Sequence, residues 1–159
     1  MPLYNKKGNL LEADLDFICH QVNCQGRMGS GIAKNIKEKW PIVYETYMAK
    51  FVDVERNFYH TYLGDIQVIK VNEDTSVINF FSQLTYGYDG RKYTNYEAFY
   101  HCLNYVKECC PKGSKIGFPY KIGCGLGGGN WAIIRTMIHE ILAKDFEVYI
   151  YRLEDNNEK

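Results

Sequence analysis

Residues 121–131, Lys-Ile-Gly-Cys-Gly-Leu-Gly-Gly-Gly-Asn-Trp, place five glycines directly after a predicted buried strand and directly before a helical pattern. Glycine reaches positive φ without strain and carries no side chain to hold main-chain N–H groups away from a ligand. The first turn of the following helix adds unpaired donors and a partial positive charge. A loop of this kind can cradle a phosphate. The chain holds a second one earlier, Asn23-Cys24-Gln25-Gly26-Arg27-Met28-Gly29-Ser30-Gly31-Ile32-Ala33, again after an apolar strand and again opening a helix. Two such loops suggest two sides of one diphosphate.

The succession of elements fits this arrangement. Residues 15–23 read as a strand that turns polar at its carboxyl end, where ligand-facing residues collect in α/β sheets. A helix is predicted from Ser30, with Ile32, Ala33, Ile36 and Trp40 on one face, and Pro41 ends it and opens another running toward Phe51. Residues 66–71 and 76–81 read as a strand pair, a hairpin in mid-sheet. Thr94-Asn95-Tyr96-Glu97 has the capping-box pattern of a helix start. A strand at 115–119, a helix at 131–142 and a strand at 146–153 complete the alternation. Strands alternating with helices predict a three-layer α/β domain with a mixed central sheet flanked by helices and the ligand at the carboxyl ends of central strands. One domain over residues 1–153 is expected, with 154–159 as a short polar tail.

At 159 residues and 46% hydrophobic content the chain can bury one sizeable core, and its formal net charge of zero gives no ground for nonspecific attraction to nucleic acid or anionic membrane. The first residues lack a signal-peptide core and no apolar run approaches the roughly 20 residues that span a bilayer, so a cytoplasmic protein without membrane contact is expected. The six cysteines show no C-x-x-C pair or zinc-ribbon spacing, and free thiols are expected.

Gly8-Asn9-Leu10-Leu11, the run from His20 to Ala33, and the run from Pro119 to Trp131 together resemble the macrodomain family, the ADP-ribose-binding fold. Arg91-Lys92-Tyr93-Thr94-Asn95-Tyr96-Glu97-Ala98 resembles the branch that contains phage proteins, the yeast-type ADP-ribose 1″-phosphate phosphatase and the terminal ADP-ribose protein glycohydrolase. The resemblance implies that Asn9, in place of the family aspartate, accepts from the adenine amino group, with Leu10 adding main-chain contact and Leu153 on the adenine side. It implies that the diphosphate lies between Ser30-Gly31-Ile32 and Lys121-Ile122-Gly123-Cys124-Gly125-Leu126-Gly127. The distal ribose then falls near Asn23, Gln25, Arg27, Met28 and Gly29. The ligand is ADP-ribose or a derivative, with ADP-ribosylated protein or nucleic acid as a further partner, and neither metal nor cofactor is required.

The leading reading is hydrolysis of the terminal phosphate of ADP-ribose 1″-phosphate, with His20, Asn23 and Arg27 around the phosphorus and water as nucleophile. His20 is either a general base or a core histidine satisfied by backbone. The alternatives are an ADP-ribosyl glycohydrolase and a silent reader of ADP-ribose. For the glycohydrolase, Lys92 stands at about the place of a family lysine that attacks the ribose anomeric carbon; it is otherwise a solvated lysine. The family aspartate that assists that lysine is Gly127 here, and no acidic residue lies between Lys121 and Trp131. Cys124 is read as packing rather than a nucleophile, and Trp40 and Trp131 as anchors of helices.

Overall fold

The structure, a computed structural model, describes residues 3–29, 31–85, 93–124 and 127–153. Its sheet has six strands: β1 (Tyr4–Lys7), β2 (Phe17–Asn23), β3 (Ile66–Lys70), β4 (Ser76–Gln83), β5 (Lys115–Pro119) and β6 (Glu147–Arg152), in the order β1-β6-β5-β2-β4-β3. Neighbours are parallel except β3 and β4. Among the described residues four α-helices accompany them: α1 (Gly31–Lys39), α2 (Pro41–Ala49), α3 (Tyr96–Cys109) and α4 (Trp131–Leu142), with short 3-10 helices at Leu10–Glu12 and Arg56–Tyr62.

The central strands are apolar on both faces because both are covered. β4 is buried along its middle six residues, and its successive phenylalanines part company: Phe80 packs with Phe99, Leu103, Ile134 and Ile138 of α3 and α4, Phe81 with Ile36, Val43 and Tyr47 of α1 and α2. Opposite-facing neighbours along a strand thus feed two cores, one on each side of the sheet. This gives the three layers predicted. No helix among the described residues is long and apolar enough to cross a membrane.

Three details differ from the sequence reading. The β3–β4 hairpin closes one edge of the sheet instead of lying in its middle, and β3 has the mixed exposure of an edge strand, with Val68 exposed. β1, too short and polar to stand out, pairs with β6 at the other edge through four residues. The capping box is shifted by one: Asn95, not Thr94, caps α3, its side chain accepting from Ala98 N at 2.8 Å. α4 starts as its sequence suggests, with Asn130 accepting from Ala132 N and Ile133 N.

β2 and β5 are adjacent and parallel, so the loops that leave their carboxyl ends emerge on the same side of the sheet. From β2 the chain passes to β4 on one side and later to β5 on the other, which makes the β2/β5 boundary the point where strand order reverses. Open α/β sheets bind ligands at such a crevice.

Candidate functional site

The two glycine loops meet over this boundary and enclose a cavity of about 560 Å³. From the β2 side it is lined by Gln21, Val22, Asn23, Gly26, Arg27, Met28 and Gly29, then by Gly31, Ile32, Ala33 and Lys37 of α1 and Tyr44 of α2. Gln83 stands at the end of β4, and Pro119, Tyr120, Lys121, Ile122, Gly123 and Gly127 form the opposite wall. Three lining side chains are cationic, Arg27, Lys37 and Lys121, and no carboxylate is among the described lining residues. Lys37 also lies over the Tyr44 ring, 4.0 Å from its centroid. In a chain of zero net charge, this cavity is locally positive.

The first loop is fixed from beneath by one tyrosine. Tyr47, on α2 and fully buried, has its hydroxyl 2.7 Å from the Asn23 carbonyl and 2.9 Å from Asn23 Oδ1, and it accepts from the N–H groups of Gly26 and Arg27, each at 3.1 Å. Burial pushes its phenol pKa up, so it stays protonated. Asn23 completes the clip: its Nδ2 donates to Arg27 O at 2.8 Å and its Oδ1 accepts from Gln25 N at 3.0 Å. These bonds hold Gly26 in its positive-φ conformation. Asn23 is therefore at the cavity wall with its amide engaged in shaping the loop.

The second loop is held by Thr94 and Gln21. The Thr94 hydroxyl donates to Gly123 O at 2.6 Å, and Gly129 N donates to the same carbonyl at 2.8 Å, which closes the loop on itself. Gly127 O in turn accepts from Tyr93 N at 2.6 Å and Thr94 N at 2.9 Å. Gln21 Nε2 donates to Gln83 Oε1 and lies 3.0 Å from Thr94 Oγ1, while its Oε1 accepts from Ser82 Oγ. Strand β2, strand β4 and the second loop are thereby joined through one polar network with Thr94 at its centre. A capping threonine could not do this, which explains why the cap moved to Asn95.

Gly127 stands where the macrodomain resemblance implies an aspartate, and a side chain there would be crowded. A Cβ built there would lie 2.5 Å from Thr94 Oγ1, 2.7 Å from Gly123 O and 2.9 Å from Gln21 Nε2. Each distance is below van der Waals contact, and one of the three atoms is backbone.

Asn23, Arg27, Met28, Gly29, Gly31, Ile32, Lys121, Ile122, Gly123 and Gly127 line the cavity together. Ser30, Lys92, Gly125, Leu126 and the tail at 154–159 lie outside the described residues. Several expectations need correction. His20 is fully buried and does not line the cavity. Its Nε2 is bonded to Asn79 Oδ1. Because Asn79 Nδ2 donates to Gln67, that oxygen is the acceptor and His20 Nε2 carries the proton. Burial lowers the His20 pKa to about 4, so the ring is neutral, and its Nδ1 is buried without a partner. In that position the ring is not among the groups that line the cavity. Asn9 uses its side-chain oxygen to cap the Leu10–Glu12 turn, accepting from Leu11 N at 2.9 Å, and Leu10 is a core residue; neither they nor Leu153 line the cavity. Gly8 N donates to Arg152 O, which sets Asn9 beside the end of β6. Cys124 is half-buried, points its thiol at Ile122 O at 3.4 Å, and has its pKa raised by burial, the behaviour of a packing thiol. Gln25 lines a second, smaller cavity.

Sequence reasoning missed Gln21, Lys37, Tyr44, Gln83 and Tyr120 on the cavity wall and Tyr47 and Thr94 behind it. Only Gln21 carried a signal, as a polar residue facing out of an apolar strand near its carboxyl end. Lys121 was named for its sequence but has a further feature: it is non-glycine with φ of 59°, a left-handed conformation that sets the entry angle of the second loop. Tyr120, next to it, meets Trp131 edge to face at 5.4 Å and anchors α4 against the loop.

No family model matches the chain. A DNA ADP-ribosyl glycohydrolase of Thermus aquaticus is 26% identical over 160 residues, which take in 94% of this chain and 41% of that protein. This chain thus spans about two-fifths of the length of the curated relative it matches. The macrodomain of Thermus aquaticus DarG superposes with a TM-score of 0.69 at 24% identity, over 95% of this chain and 98% of that one. Thermosipho africanus DarTG in complex with ADP-ribose matches with a TM-score of 0.73 at 21% identity, over 98% of this chain and 43% of that one. The chain has the macrodomain fold, a six-stranded mixed sheet between two helical layers.

Proposed function

With the macrodomain fold as the frame, we propose that this chain binds ADP-ribose in the β2/β5 cavity and acts as an ADP-ribosyl glycohydrolase on ADP-ribosylated nucleic acid. The observation that carries the binding half is the wall itself: two glycine loops, three cations and no described carboxylate suit a diphosphate and disfavour a cationic or neutral ligand. The activity half draws support from the Thermus aquaticus relative, a DNA ADP-ribosyl glycohydrolase, and from the ADP-ribose complex of the Thermosipho africanus protein.

Hydrolysis of ADP-ribose 1″-phosphate has less support. It needs a group that activates water beside the distal ribose, and His20, the candidate for that role, is buried outside the cavity and bonded to Asn79. For a glycohydrolase the nucleophile is Lys92. Tyr93, next in sequence, is bonded through its N–H to Gly127 of the cavity wall. The lysine amine attacks C1″, the bond from C1″ to the nucleobase atom breaks and that atom takes the proton; water then hydrolyses the adduct and returns the amine. Because residue 127 is glycine, this chemistry runs without a carboxylate from that position.

The test offers ADP-ribosylated single-stranded DNA, ADP-ribosylated protein and ADP-ribose 1″-phosphate to the protein and to its Lys92→Ala variant. Free ADP-ribose should appear from the DNA, and the variant should release it at least about a hundredfold more slowly. Phosphate release that survives in Lys92→Ala, with no ADP-ribose from DNA, would overturn the glycohydrolase reading.

A further inference from the structure

A second cavity of about 270 Å³ opens beside the first, lined among others by Gln25, Arg27, Arg56, Tyr59, His60 and Thr85. Arg27 belongs to both walls, so the two spaces are neighbours at that residue. The volume is at the small end for ligand sites and suits a phosphate with its sugar rather than a second dinucleotide. No carboxylate is among the described residues lining it. Arg27 and Arg56 are exposed, and neither guanidinium forms an ion pair with a carboxylate among the described residues.

Tyr59 is the anchored part of this cavity's floor. Arg56, Tyr59 and His60 come from the 3-10 helix Arg56–Tyr62, and Tyr59 is locked by an edge-on contact with Phe51 at 4.7 Å and a hydroxyl bond to Phe51 O. Arg56 and His60 are thus presented from the 3-10 helix opposite Cys24, Gln25 and Arg27 of the first glycine loop. Groups seated in the two cavities would meet at Arg27, the residue that their walls share.

We propose that this second cavity seats a phosphodiester of the nucleic-acid strand that carries the ADP-ribosyl group, with Arg56 and His60 as its donors. The inference rests on the glycohydrolase reading and extends it to the acceptor side of the scissile bond. A phosphodiester lies a fixed, short distance from any modified nucleobase, whereas a modified protein side chain brings no anion at a set distance. Two arginines and a histidine with amide and hydroxyl donors and no carboxylate match the former.

The experiment measures binding of free ADP-ribose, of a single-stranded oligonucleotide carrying ADP-ribose through a non-hydrolysable C-glycosidic link, and of a peptide carrying the same link. Wild-type protein is compared with Arg56→Gln and with Arg56→Gln/His60→Gln, all at several salt concentrations. Wild type should bind the oligonucleotide conjugate at least about tenfold more tightly than free ADP-ribose. The variants should lose most of that advantage, lower the salt slope by about 0.7 for each phosphate contact removed, and bind free ADP-ribose as wild type does. The proposal is overturned if the variants keep the full advantage, if they weaken free ADP-ribose equally, or if the peptide conjugate gains as much as the oligonucleotide. Failure of wild type to bind free ADP-ribose at all would instead strike down the underlying reading of the first cavity.

Discussion

Gly127→Ala is a direct test of the second loop, because it adds one carbon where three atoms already stand at 2.5, 2.7 and 2.9 Å from its position. Two of those atoms, Thr94 Oγ1 and Gln21 Nε2, belong to the network that ties the second loop to β2 and β4, and the third is the Gly123 carbonyl that closes the loop. Relief requires the loop to move away from Thr94, which breaks the 2.6 Å bond from its hydroxyl to Gly123 O or displaces Gly127 O from Tyr93 N and Thr94 N. Overpacking of this kind costs about 1–3 kcal/mol. A lost buried hydrogen bond adds about 1 kcal/mol, for a total of about 2–4 kcal/mol. In a domain of this size that corresponds to a fall in Tm of about 5–15 °C. ADP-ribose affinity should drop at least about tenfold, because the displaced backbone is the cradle itself. Gly29→Ala is the control for stability: its Cβ meets nothing within 4 Å and its φ is not positive, so Tm should move by no more than about 1 °C. Thermal unfolding and calorimetry of both variants decide the matter. A Gly127→Ala protein as stable and as tight-binding as wild type would refute the crowded-loop argument. Gly127→Asp meets the same clash at its Cβ, so it should be no better a catalyst than wild type; a gain in turnover would refute the claim equally.

ADP-ribose should bind in the presence of chelator and more tightly than AMP, because the cavity joins two loops that only the diphosphate spans; equal affinity for AMP in calorimetry would count against the cradle. Tyr47→Phe should cost about 1–3 kcal/mol of stability and weaken ADP-ribose, since it leaves Gly26 N, Arg27 N and the Asn23 groups without their shared hydroxyl; denaturant titration reads the first and calorimetry the second. His20 has its pKa lowered to about 4 from an ordinary 6.5, so the unfolded chain takes up a proton that the folded one refuses. Its contribution is fully present above pH 6.5 and is lost as pH falls toward 4, reaching about 2–3 kcal/mol by pH 4.5. His20→Gln should flatten the stability profile by that amount across this window, and an unchanged profile in urea titrations would show that His20 is not buried as described.

The order of strands and helices was legible in the sequence because each element advertises its own faces. Apolar residues at 3.6-residue spacing marked α1, α3 and α4, and Pro41 marked the start of α2. The glycine loops were legible for a steric reason that also acts locally: a chain that must present backbone to a ligand at positive φ needs glycine there, as at Gly26, Gly31 and Gly123. The short polar strand β1 and the two 3-10 helices carried no periodic signal and went unread.

Partnerships between distant residues could not be read in the same way. Thr94 satisfied the rule for a helix cap, yet its hydroxyl is used 29 residues away on Gly123, and Asn95 caps instead. His20 and Asn23 stand three apart on one strand, but one faces the packed interior beside Asn79 while the other ends at the cavity. Which loops meet depends on β2 lying next to β5, nearly a hundred residues later, and on their running parallel. The local elements and the two backbone cradles are written in the order of residues, because propensity, capping and glycine sterics act within a few positions. Which polar side chains face the cavity, which are consumed in holding it open, and that Arg27 lines two cavities are settled by packing, because burial and hydrogen bonding are set by neighbours that the chain brings together only on folding.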